Sequence, residues 1–228
     1  MALTVSIYGT CDAYLWHLRC LSMALVNMNT QFVETIKIKN GRAMLLGYHQ
    51  ARMERTIRRF FPRLAVSAMP SLEQIVEATA DMELYKVRIV YGEQGVELVE
   101  YVPYSMRQIH SLKVVCDDDI EYSYKSTDRS RLNALVEKKG CCDEIIIIKN
   151  GLVTDTSFTN IAIYDGTDWL TPRHPLLAGT KRAYLLDRGA IKEADITIND
   201  LMRAKKLRLF NAMIDFGERE IPTSQVII

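Results

Sequence analysis

The sequence predicts an α+β fold built in two halves. Three observations carry this. Strand-like and helix-like segments both recur along the 228 residues, but without regular strand–helix–strand alternation. Tight-turn signals (Lys39-Asn40-Gly41, Lys149-Asn150-Gly151, Asp165-Gly166) separate short apolar runs, as in antiparallel sheets. A weakly periodic stretch over residues 103–111 divides the chain into a smaller part, 28–105, and a larger part, 112–228.

The elements follow in order. Residues 31–38 alternate apolar and polar side chains and run into a hairpin turn, which is a strand. Leu45, Leu46, His49, Met53, Ile57, Phe60 and Phe61 recur at helical spacing, and Pro62 ends that helix. Residues 71–82 read as a second helix, with Ser71 as N-cap and Gln74 three residues on. Strands are expected at 86–91 and 96–102 around Gly92-Glu93-Gln94-Gly95, and at 112–116. A helix over 129–139 precedes strands at 144–148, 152–154, 160–164 and 169–170. A helix over 180–189, a strand over 194–198, a short helix over 199–203 and a buried strand over 207–213 complete the larger part. Residues 1–27 stand apart, with two charged residues, Asp12 and Arg19. They read as a strand (3–8) and a helix (13–26), or as a segment upstream of a functional start at Met28.

Composition excludes several function classes. The 29 basic and 28 acidic residues give a net charge of +1, which supports neither a nucleic-acid nor a membrane-surface role. No apolar run reaches the ~18 residues of a membrane-spanning helix. Five cysteines, of which only Cys141-Cys142 are adjacent, suit reduced thiols in the cytoplasm and give no metal-site spacing. Neither a Gly-x-Gly-x-x-Gly nor a Gly-x-x-x-x-Gly-Lys-Thr motif is present.

The chemistry concentrates in three places. Tyr124-Lys125-Ser126-Thr127-Asp128-Arg129 puts a lysine just before a helix. Val153-Thr154-Asp155-Thr156-Ser157-Phe158-Thr159-Asn160-Ile161 puts an acid at the end of a strand. Leu177-Ala178-Gly179-Thr180-Lys181-Arg182 opens a helix with glycine and threonine. A lysine, an acid and a Gly-Thr helix start, in that order, are what an enzyme needs to hold pyridoxal phosphate. The lysine bonds the aldehyde, the acid keeps the ring nitrogen protonated, and the helix start offers N–H groups and a favourable dipole to the phosphate.

These motifs resemble the class IV aminotransferase family, the type IV fold of pyridoxal-phosphate enzymes. Its members include branched-chain and D-amino-acid aminotransferases and aminodeoxychorismate lyases. Phe32-Val33-Glu34-Thr35 and His49-x-x-Arg52 extend the resemblance into the first half, so that it covers roughly residues 32–215. It implies Lys125 as the catalytic, cofactor-bonding lysine, Asp155 at the ring nitrogen where relatives have glutamate, and Asn160 in support. Arg52, Gly179, Thr180 and Asn211 are implied at the phosphate, and Arg88 and Glu34 near the substrate. No metal is implied. It also implies a homodimer acting on a small amino substrate. Lys125-x-x-Asp128-Arg129 and Asn211-Ala212-Met213 are similar to lyase motifs. The favoured reaction is therefore pyruvate elimination from 4-amino-4-deoxychorismate to give 4-aminobenzoate, with amino-acid transamination as the alternative. Relatives carry a Gly-Asp-Gly step before the Phe-x-Glu-Thr segment, where this chain has Met28-Asn29-Thr30-Gln31. That departure keeps a third reading open, a non-catalytic pyridoxal-phosphate-binding homologue.

Overall fold

The computed structural model describes residues 30–64 and 71–228. The expected elements within 1–27 and the proposed start at Met28 lie outside the described residues. The alternation at the start of the described chain forms strand β1 (Phe32–Lys39). It turns through Asn40 and Gly41, at φ of 50° and 70°, into the short β2 (Arg42–Ala43). Asparagine and glycine are the residues that tolerate such left-handed turns. Strands β3 (Leu84–Gly92) and β4 (Gly95–Pro103) complete an antiparallel sheet of order β2-β1-β3-β4.

Helix α1 (Leu46–Phe60) buries His49, Arg52, Met53, Thr56 and Ile57, one stripe at helical spacing. Met53 and Ile57 join Phe32, Ile36, Val87 and Ile89 in one core cluster. Three polar residues of α1 are thus carried into the interior, and burial of that kind needs partners.

The expected helix over 71–82 is a correction: only α2 (Leu72–Ile75) forms. The Ser71/Gln74 capping box is present, so the start was legible. The stop comes from a distant residue. The Tyr101 hydroxyl on β4 accepts from the Glu77 backbone N–H at 2.8 Å and donates to the Ile75 carbonyl at 3.3 Å. Those are backbone groups that a continuing helix would have paired with itself.

Residues 112–228 hold two sheets. One, of order β13-β5-β6-β7, contains β5 (Leu112–Cys116), β6 (Glu144–Lys149), β7 (Leu152–Thr156) and β13 (Val226–Ile227). The other, of order β10-β9-β8-β11-β12, contains β8 (Asn160–Tyr164), β9 (Trp169–Pro172), β10 (Lys192–Ala194), β11 (Lys206–Phe210) and β12 (Glu220–Ile221). β6 explains its isoleucine run. Ile146 and Ile148 face the core shared by both sheets, while Ile145 and Ile147 face a separate cluster with Leu132 and Leu135. A strand buried on both faces loses the apolar–polar alternation. Leu132 and Leu135 lie on α3 (Ser130–Val136), which continues as a single 3-10 turn over Glu137–Lys139.

A second correction concerns 194–198. The strand there is β10, and Ile198 already opens α5 (Ile198–Arg203). Thr197 caps that helix reciprocally with Asp200, at 3.2 Å and 3.0 Å. This Thr-x-x-Asp signal sat unused in the sequence. Helix α4 (Thr180–Asp187) ends two residues earlier than the expected 189.

The step between β7 and β8 positions the chemistry. The chain leaves one sheet at Thr156 and enters the other at Asn160. The reversal is held by Thr156 N–H donating to the Thr159 carbonyl at 3.0 Å, and by the Thr156 hydroxyl oxygen accepting from Thr159 N–H at 2.9 Å. Asp155 and Asn160 flank it and face each other.

Candidate active site

A cavity of about 320 Å³ is lined by Arg52, Lys125, Asp155, Asn160, Gly179, Thr180 and Asn211 among others. These seven come from α1, the segment before α3, the β7–β8 step, the start of α4 and the turn after β11. Glu34 and Arg88 are not among its lining residues.

Lys125 reaches the cavity from a segment stitched to β1. Val33 N–H donates to the Lys125 carbonyl at 2.9 Å, and Thr127 N–H to the Gln31 carbonyl at 2.9 Å. Its ammonium has no hydrogen bond or ion pair among the described residues. Burial, then the Arg52 guanidinium and, more weakly, Arg129, pull its pKa down to about 8, against a pull from Glu34 the other way. A free amine is therefore accessible near neutral pH.

Asp155, the last residue but one of β7, has both oxygens occupied. Asn160 Nδ2 donates to Oδ1 at 2.8 Å, and Leu177 N–H donates to Oδ2 at 2.9 Å. Asn160 Nδ2 also donates to the Leu177 carbonyl at 2.9 Å. Asn160 thus orients the acid rather than merely satisfying a strand start. Burial pushes the Asp155 carboxyl up to about 6, opposed by those hydrogen bonds and by Arg182.

Gly179 is required by space. A Cβ there would lie 2.0 Å from Asn160 Oδ1. It is also the N-cap of α4, in extended conformation and without a side-chain cap, so the helix dipole opens on the cavity. Gly179→Ala is expected to dislodge Asn160 from Asp155. The overpacking costs about 1–3 kcal/mol. Thermal melts should read this as a fall of roughly 2–4 °C for each kcal/mol. An unchanged melt would show that the Asn160 side chain gives way freely.

Arg52 lines the cavity but is claimed from behind by Glu34. Arg52 Nε donates to Glu34 Oε1 at 2.9 Å and Nη2 to Oε2 at 2.6 Å. Glu34 is fully buried and also lies 2.6 Å from His49 Nδ1. Burial pushes the Glu34 carboxyl up, but the Arg52 guanidinium and the His49 ring outweigh it and hold it down at about 2. The other ring nitrogen, Nε2, lies 3.3 Å from Thr180 Oγ1. Asn211 ties the turn after β11 to the β7–β8 step. Its Nδ2 donates to the Phe158 carbonyl at 3.1 Å, and its Oδ1 accepts from Met213 and Ile214 N–H at 2.8 and 2.9 Å. Arg88, half-buried, pairs with the exposed Glu100 at 3.0 Å across β3 and β4. Its register partner Thr35 does line the cavity.

Sequence reasoning missed Arg107 and Arg129. Arg129 donates from Nη2 to the Ser157 carbonyl at 2.7 Å and lies over the Tyr122 ring. Its place in the Lys-x-x-Asp-Arg motif was a usable signal. Arg107, half exposed at the cavity edge, pairs with the buried Glu144 at 3.3 Å and lies over Phe158. It sits in the aperiodic 103–111 stretch, where no local pattern marked it.

Comparisons with known proteins agree with this geometry. The profile of the family described as Amino-transferase class IV matches residues 31–217. An uncharacterised protein of Haemophilus influenzae is 37% identical over 182 residues, which cover 79% of this chain and 96% of its own. A crystal structure from Haemophilus somnus, provisionally assigned as a 4-amino-4-deoxychorismate lyase, is similar at a TM-score of 0.75 and 36% identity, covering 82% of this chain and 97% of that one. An aminodeoxychorismate lyase of Saccharomyces cerevisiae is 35% identical over 80 residues, 32% of this chain and 21% of its own length.

Proposed function

Because the chain belongs to the class IV amino-transferase family, we propose that it is a 4-amino-4-deoxychorismate lyase that uses pyridoxal phosphate. The family depends on that cofactor. One observation carries the reading: the unpartnered Lys125 amine shares a cavity with the buried Asp155 carboxylate and the uncapped start of α4.

The donor set fits the cofactor. Lys125 would bond the aldehyde carbon, Asp155 would face the ring nitrogen, and Gly179, Thr180 and the α4 dipole would take the phosphate, with Arg52 adding positive charge. When bound, the cofactor supplies an electron sink that makes the substrate Cα–H acidic. The chain's residues do the rest. Lys125 removes the Cα proton as a free amine, which its lowered pKa permits. Asn160 and the Leu177 N–H hold Asp155 in place. As the bond to the enolpyruvyl oxygen breaks, the Lys125 ammonium returns the proton to the departing group, giving pyruvate and 4-aminobenzoate. The similarity to the Haemophilus somnus and yeast proteins supports elimination over transamination.

Arg107 supplies a cation for a substrate carboxylate at the cavity edge. Arg107→Ala is expected to raise KM roughly 10- to 100-fold, the loss of one charge-assisted hydrogen bond, while borohydride-trapped cofactor stays unchanged. Steady-state pyruvate release measures the first and absorbance the second. An unchanged KM would remove Arg107 from the site.

The test of function is a visible spectrum with added pyridoxal phosphate before and after borohydride, then incubation with 4-amino-4-deoxychorismate. Pyruvate and 4-aminobenzoate in equal amounts support the lyase. Keto acid from amino acids without 4-aminobenzoate would replace it with a transaminase. The proposed working form is a homodimer in the cytoplasm. Light scattering should give about twice the 26.1 kDa chain mass. The described cysteines are free thiols, and no helix among the described residues is long and apolar enough to cross a membrane.

A further inference from the structure

The His49 ring is a buried link between β1 and the start of α4. Its Nδ1 faces Glu34 at 2.6 Å and its Nε2 faces Thr180 Oγ1 at 3.3 Å. Glu34, clamped by Arg52, is a carboxylate and can only accept. Nδ1 therefore carries a hydrogen, and two states remain. In the neutral ring, Nε2 is a bare acceptor, and the Thr180 hydroxyl must spend its single hydrogen on it. In the imidazolium, Nε2–H donates to Thr180 Oγ1, and the hydroxyl hydrogen is released toward the cavity that Thr180 lines.

The groups around the ring set the balance. Burial disfavours its charge; Glu34 from β1 favours it; Arg52 from α1 and Lys125 from the segment before α3 oppose it, and the neutral ring prevails. An anion at the start of α4 changes this. One hydroxyl hydrogen cannot serve both the anion and His49, and a neutral Nε2 left without it would be an unpaired buried acceptor. The new negative charge also favours the imidazolium.

We infer that a phosphate monoester binding at the start of α4 takes up one proton from solvent onto His49 Nε2, switching the Thr180 hydroxyl from the ring to the phosphate. The inference rests on the reading of this cavity as a pyridoxal-phosphate site. It makes His49 a positioning residue that acts through Thr180. Phosphate affinity should then weaken as pH rises, by up to about tenfold per unit between the pKa of His49 in the free protein and the higher pKa that it has in the complex, and level off above the latter.

The test uses the full chain and pyridoxamine 5′-phosphate, which has no aldehyde and cannot react with Lys125. Imidazole carbon NMR at pH 8 follows the four histidines, and His49→Gln identifies the His49 signal. Calorimetry in two buffers of different ionisation enthalpy counts protons. Saturating ligand should move the His49 signal from neutral to imidazolium. Wild type should take up about one proton more than His49→Gln, and any proton gained by the ligand's ring cancels in that difference. Thr180→Val, which removes the oxygen that Nε2–H would donate to, should bind more weakly and without the extra proton, and stands in if His49→Gln does not fold. Bound ligand, seen by its own fluorescence, with His49 still neutral would overturn the inference and leave the cofactor site standing. An imidazolium already present without ligand would do the same. No binding of the ligand at all would overturn both.

Discussion

Lys125→Ala is expected to abolish lyase turnover and all borohydride-trappable cofactor. Lys125 is the single lysine among the lining residues of the cavity. Lys37 and Lys181, the other lysines buried nearby in sequence to site residues, are committed to Asp215 at 2.7 and 2.5 Å. The loss of a positioned general base alone costs about 10²–10⁴ in rate, and the loss of the covalent anchor adds to it. The fold should survive. The segment is held by its backbone, through the Lys125 carbonyl to Val33 N–H and through Thr127 N–H to the Gln31 carbonyl, and alanine keeps both bonds. A melt within a few degrees of wild type, together with silent turnover, therefore separates chemistry from folding. In wild type, capture of the aldehyde should quicken as pH rises through about 8, because the amine must shed its proton first. Peptide mapping decides the matter. A borohydride adduct that persists in Lys125→Ala would place the reactive lysine elsewhere and dismantle the assignment.

The largest stability effect is expected from Glu34→Ala. Glu34 is the shared acceptor for Arg52 and His49, all three buried. Removing it leaves a guanidinium without its counter-charge in the interior, a loss of about 3–5 kcal/mol. At roughly 2–4 °C per kcal/mol for a chain of this size, the melting temperature should fall by roughly 6–20 °C. The pH dependence has a definite sign. The folded carboxyl is held at about 2, below its ordinary 4.5, so its contribution is complete above pH 4.5 and is lost as pH falls toward 2. The gap between wild type and variant should therefore close on acidification through that window. Melts of the two proteins from pH 7 to the lowest pH at which both fold would measure it. A gap below about 1 kcal/mol at pH 7, in the range of an exposed pair, would mean that the buried cluster contributes no more than a surface one.

Much of the fold was legible because its signals are local. The Asn-Gly turns, the alternation in β1, the stripe on α1 and the isoleucine run of β6 each follow from a few neighbouring residues. The cavity-lining residues were legible for a related reason. Lys125, Asp155, Asn160, Gly179 and Thr180 sit in short stretches whose spacing is tied to strand ends and helix starts, and the cavity collects all five. Arg88 shows the limit of that logic. Its strand was placed correctly, yet its partner is Glu100 across the hairpin.

By itself, then, the sequence determined the α+β class, the order of most elements and a lysine, an acid and a helix start that one cavity brings together. Local propensity and turn chemistry act within a few residues, and motifs preserve what they dictate. Tertiary structure alone decided the rest. It stopped α2 at Ile75 through the hydroxyl of Tyr101, brought Arg107 out of an aperiodic stretch to the cavity edge, and buried Glu34 against two residues of another element. It also joined the two ring nitrogens of His49 to residues 15 and 131 positions away. Such pairings arise because a buried polar group must find whichever partner packing brings within reach, and reach in space leaves no period in the sequence.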